Sequence, residues 1–156
     1  MMLTEYASDS ACLTSWRARP ASFVSLMTLY ESNYIRLRWL IADIAGITGT
    51  RVSKVGGDCP LHLEVEEQAR YTTTFRLTYF FEEAGGSRRA DPDLVVRVYH
   101  DARLAEVCSC SRWHRHTVLR SLRAQDSKSL DERWARNMML NKWLDYCVER
   151  GHRFEL

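Results

Sequence analysis

The chain predicts an α+β fold: an antiparallel meander of four to five strands, packed with an N-terminal and a C-terminal helix. Apolar residues recur at helical spacing over 23–44 and again near the C-terminus, and at a spacing of two between them. Connections within the period-two region are short, which favours hairpins over parallel crossover units. At 156 residues, 46% of them hydrophobic, the chain has the length of one domain with a core to fill.

Each element follows from its residues. Residues 1–19 lack periodicity and read as a loose tail ahead of a domain over 20–153, with 154–156 a short C-terminal tail. Phe23, Leu26, Met27, Tyr30, Tyr34, Leu37, Leu40, Ile41 and Ile44 share one helical face, opened by Pro20 and Ser22 and stopped by Gly46 and Gly49. His62, Glu64 and Glu66 alternate with Leu61, Leu63 and Val65, the pattern of a strand wetted on one face. Gln68-Ala69-Arg70 connects it to the β-branched and aromatic run Thr72 to Phe81. Gly85, Gly86, Arg88, Arg89 and Pro92 make a loop. Leu94 to Tyr99 and Leu104 to Cys110 then pair as a hairpin around His100-Asp101-Ala102-Arg103. Trp113 to Leu119 is a fifth strand or a continuation of the fourth. Ser129-Leu130-Asp131-Glu132 matches a capping box, and the helix it opens runs to Gly151, a natural C′ residue.

Composition narrows the functional classes. The 17 aromatics (5 Trp, 7 Tyr, 5 Phe) are too many for a disordered chain. The longest apolar stretch, Trp39-Leu40-Ile41-Ala42, falls far short of the roughly 18 residues a membrane span needs. No basic start and apolar segment mark a secretory signal, so a soluble, cytoplasmic protein is expected. Five cysteines, an odd number in mostly apolar surroundings, read as core thiols of a reducing compartment. Net charge is only +2, but the cations are almost all Arg, 19 against 3 Lys, which favours planar and stacking contacts.

Four blocks carry a resemblance: Leu29-Tyr30-Glu31-Ser32-Asn33-Tyr34; Arg70-Tyr71-Thr72-Thr73-Thr74; Val96-Arg97-Val98-Tyr99-His100-Asp101-Ala102 with Ala105-Glu106-Val107-Cys108; and Asp131-Glu132 leading to Trp143-Leu144-Asp145-Tyr146-Cys147. In content and spacing they resemble the YqiB-like family, small proteobacterial proteins classed as a domain of unknown function. The resemblance covers about residues 23–153 and departs from the family pattern at Ser121 to Lys128. It implies a cytoplasmic bacterial protein and transfers no catalytic residue.

Each candidate site has a simpler structural role beside the functional one. Cys108, Cys110, His114 and His116 are residue types zinc prefers, but their spacing is not that of a zinc knuckle. Buried thiols and solvated histidines explain them as well, so no cofactor or metal is expected. His100-Asp101 beside Glu106 suits a base and its orienting carboxylate, yet no nucleophile accompanies them and hairpin-turn chemistry serves equally. A non-catalytic role is therefore favoured over an enzyme. Arg70, Tyr71, Arg97, Tyr99, His100, Arg103, Arg112, Trp113 and Arg115 place charges and stacking faces on neighbouring strands, as RNA or a nucleotide requires. Trp134, Met138, Met139, Trp143 and Tyr146 make the C-terminal helix apolar over more than one face, which suits a protein partner or a homodimer. A second helix covering the same sheet would bury them instead.

Overall fold

The structure, a computed structural model, describes residues 22–110 and 126–155. Helix α1 (Phe23–Leu40) precedes five strands, β1 (Thr50–Ser53), β2 (Leu61–Gln68), β3 (Thr72–Glu82), β4 (Arg88–Tyr99) and β5 (Leu104–Cys110), and helix α2 (Asp126–Glu149) follows them. The strands lie in chain order, β1-β2-β3-β4-β5, each antiparallel to its neighbour. This is the expected α+β meander with its two helices.

One face of the sheet holds the core. In register, Leu63, Leu77 and Leu94 form one row and Phe75, Val96 and Val107 another. They share a cluster with Tyr34, Leu37 and Leu40 of α1 and Leu140, Trp143, Leu144 and Cys147 of α2. Both helices therefore lie against that face. Alternate residues, including His62, Glu64, Arg76, Arg97 and Glu106, belong to the opposite face. Among the described residues, no helix covers it.

The helices run side by side in the same direction, tied by two buried amide bonds and an exposed ion pair. Asn33 Nδ2 donates to Asn137 Oδ1 (3.3 Å), Asn141 Nδ2 to Asn33 Oδ1 (3.0 Å), and Arg36 Nε to Asp145 Oδ1 (2.8 Å). The same asparagines seal the β5 edge. Asn137 Oδ1 accepts from the Val107 N–H (2.9 Å), and Asn33 Nδ2 reaches the Ala105 carbonyl (3.4 Å). Two outward backbone groups of this strand are thus taken, which hinders further strand pairing at that point.

Four boundaries differ from expectation. Ser22 caps α1 as expected, its side chain accepting from the Ser25 N–H (3.1 Å). The helix nevertheless ends at Leu40, not Ile44, because the C-terminal segment claims its end. The Phe154 N–H donates to the Leu40 carbonyl (2.8 Å), and the Ala42 N–H to that of Phe154 (2.9 Å). Phe154, expected to open a tail, is 3% exposed and part of the core. At the other end α2 starts at Asp126, so Ser129 lies inside the helix; a capping box is a preference that a longer helix overrides. Gly151 does terminate that end, at φ +99°, with the His152 and Gly151 N–H groups bonding the Cys147 and Val148 carbonyls. The third difference is at β4, which begins at Arg88, shrinking the expected loop: Arg88 and Arg89 pair with Glu82 and Phe81. Finally, the fifth strand is the short β1, which pairs with β2 through only four residues. Trp113 to Leu119 lies outside the described residues.

Candidate functional site

Two turns at one end of the sheet, between β2 and β3 and between β4 and β5, bring several candidate residues together. The His100 N–H donates to the Tyr71 carbonyl (2.9 Å), and His100 Nε2 shares a hydrogen bond with Thr73 Oγ1 (2.8 Å). The turns are thereby fastened side by side. Tyr71 is 52% exposed, and the Arg70 guanidinium lies over its ring, 5.2 Å from the centroid. Arg103 closes the second turn, its N–H bonding the Tyr99 carbonyl (2.8 Å), in a left-handed conformation at φ +58°. It is the one non-glycine residue at positive φ among those described. Glycine or asparagine takes this position at lower cost, about 1 kcal/mol for an ordinary side chain. Arg70 and Arg103 are both exposed, and neither enters an ion pair among the described residues.

Behind these turns the helix-free face carries a second group. Arg97 Nε donates to Thr74 Oγ1 (3.2 Å) and Tyr99 Oη to Glu106 Oε2 (2.5 Å). Burial, then the hydrogen bond to Glu106, raises the Tyr99 hydroxyl above its ordinary pKa. Burial likewise raises the half-buried Cys108 thiol, against the opposing pull of Arg97. Further along, Arg76 bonds both Glu66 (3.1 Å) and Asp93 (3.0 Å). Arg97 and Tyr99 thus have protein partners and stand behind, not among, the freely exposed cations. Arg112, Trp113 and Arg115 lie outside the described residues.

The His100-Asp101 pair is turn chemistry, with His100 held by Thr73 and Asp101 exposed. Of the metal candidates, His114 and His116 lie outside the described residues. Among those described, no three His, Cys, Asp or Glu side chains converge on a point. On α2, Trp143 is a core residue, 7% exposed and edge-on to Tyr79, while Met139 (39%) and Tyr146 (44%) face solvent. Trp134 and Met138 are half-buried.

A further cluster, unmarked by any local motif, lies at the opposite sheet edge. His152 Nδ1 shares a hydrogen bond with Ser53 Oγ (3.0 Å), and Nε2 bonds Asp58 Oδ2 (3.0 Å), which also accepts from Tyr79 Oη (2.8 Å). Ser, His and carboxylate in series are the parts of an acyl-transfer triad. Here the His152 ring is wholly covered, Ser53 is 7% exposed, and its Oγ also accepts the Arg153 N–H (3.1 Å). The group joins the chain after α2 to β1, β3 and the β1–β2 loop. Burial alone would raise the Asp58 carboxyl. Hydrogen bonds from Tyr79, the Cys59 N–H and His152 outweigh it and hold the group below the usual carboxylate range. Burial pushes the adjacent Cys147 thiol up to about 11. Ser53 and Asp58 are 99 and 94 residues from His152, so no local motif marks them.

The comparisons agree with the family resemblance. A family model described as "Protein of unknown function (DUF1249)" matches residues 36–153. The "Uncharacterized protein YqiB" of Escherichia coli strain K12 is 33% identical over 131 residues, 83% of this chain and 90% of that protein. Its counterparts in Escherichia coli O6:H1 and O157:H7 match to the same extent. No solved structure matches the chain.

Proposed function

The chain belongs to the DUF1249 family of proteins of unknown function, and on that premise we propose that it is a non-catalytic binding module for RNA or a nucleotide. The contact surface is the paired-turn end of the sheet. Arg103 carries the reading: a side chain kept in a left-handed turn, at a cost glycine would avoid, points to a role for the side chain itself. Tyr71 in the adjoining turn offers a half-exposed ring for a base, and Arg70 and Arg103 offer donors for phosphate, while His100, bonded to Tyr71 and Thr73, fastens the two turns together. Arg97 and Tyr99 support these turns from the adjoining strand. The unpaired thiols of Cys59, Cys108 and Cys147 are consistent with a cytoplasmic location. No helix among the described residues is long and apolar enough to cross a membrane.

A second reading, a protein adaptor or homodimer acting through α2, draws on the exposure of Met139 and Tyr146. A fluorescence titration with a short oligoribonucleotide separates the two. Tyr71→Ala is expected to weaken binding about tenfold, the loss of one stacked base, and added salt to weaken it further. Unchanged affinity in Tyr71→Ala would move the weight to α2.

A further inference from the structure

We infer that the paired-turn end takes a single nucleotide, its phosphate on Arg103 and its base on Tyr71, rather than a length of strand. The inference rests on the nucleotide reading above and adds how much of the ligand is held. A strand-binding sheet needs unpaired cations continuing across its face, so that successive phosphates find partners. Here the described cations of the face nearest the turns are already engaged, and the exposed Arg88 lies at the far end, over Phe80. Arg76 is held between Glu66 and Asp93, and Arg97 donates to Thr74 beside the Tyr99–Glu106 pair. Glu64 stands exposed in the same row as Arg76. A phosphate moving from the turns onto the face would meet four carboxylates, those of Glu64, Glu66, Asp93 and Glu106, and two guanidiniums already bonded.

Among the described residues, both sheet edges are partly occupied. The Asn33 and Asn137 side chains occupy backbone groups of β5 at one edge. At the other, Arg153 and Glu155 of the C-terminal segment bond the Ser53 and Arg51 side chains of β1. Among the described residues the unpaired charge next to this face therefore lies at the turns, where Arg70 covers the half-exposed Tyr71 ring and Arg103 sits in the adjoining turn. That leaves room for one stacked base.

The test is a length series, adenosine 5′-monophosphate and oligoriboadenylates of two, four and eight residues, titrated into the full chain at several salt concentrations. Affinity per nucleotide is expected to stay within about threefold along the series. The slope of log affinity against log salt should stay at about −1, the value for one or two phosphates. Arg103→Ala should weaken monophosphate and octamer by the same factor. Affinity per nucleotide that climbs more than tenfold with length, with a steepening salt slope, would overturn the single-nucleotide inference and leave nucleotide binding standing. Absence of binding by every member, up to millimolar concentration, would overturn both.

Discussion

Asp58→Ala is expected to lower unfolding stability by about 3 kcal/mol, a large share of what a small domain has. The carboxylate is almost fully covered and is the shared acceptor for Tyr79 Oη and His152 Nε2, with the Cys59 N–H a third donor. Removing it leaves those donors without an acceptor in a dry site, which costs more than the bonds themselves contribute. The effect carries a pH signature. A carboxyl held below its ordinary value when folded contributes stability that is present above the unfolded value, about 3.9, and fades as pH falls through the folded one. The native chain should therefore lose stability steeply below about pH 4, and Asp58→Ala should lose less over the same window. Urea unfolding at pH 7 and pH 3.5 measures both quantities. Equal pH slopes would mean that Asp58 is not held as the geometry implies.

Asn137→Leu is expected to cost about as much, by a different route. Leucine fills nearly the same volume, so packing is little changed. The Val107 N–H and Asn33 Nδ2 lose their acceptor, and the Arg133 carbonyl loses the donor Asn137 Nδ2, 2.8 Å away. At roughly 1–3 kcal/mol for each buried group left unpaired, a loss of about 3 kcal/mol is expected. The loss is also local. Amide exchange at Val107 should speed up well before that of central β3, because the asparagine closes the β5 edge. If Val107 exchanges no faster, the edge is closed by something other than this side chain.

Much of the fold is legible in the sequence because periodicity reports which residues share a face. Leu61, Leu63, Phe75, Leu77, Val96 and Val98 all lie where the alternation puts them. The end of α1 is not legible, since it is decided by Phe154, over a hundred positions away, whose backbone takes the Leu40 carbonyl. β1 escapes for the opposite reason: four residues are too few for a period to show. The candidate site is visible in part. Arg70, Tyr71, His100 and Arg103 stand out by residue type, but strand parity cannot show that Tyr71 and His100 fasten two turns side by side. Parity places Arg97 and Tyr99 together, and cannot show that Thr74 and Glu106 already engage them. His152, Asp58 and Ser53 meet only through folding of the whole domain.

The claim that the paired-turn end binds rests on Arg103, so Arg103→Gly tests it most directly. Glycine adopts φ +58° without strain, so the variant should be more stable, by about 0.5–1 kcal/mol or roughly 2 °C in melting temperature. The same change removes a phosphate contact and should weaken nucleotide binding about tenfold. Melting temperature and affinity measured on one preparation give both numbers. A firmer fold with weaker binding is the predicted result; a firmer fold that binds adenosine 5′-monophosphate as tightly as the native chain would contradict the account.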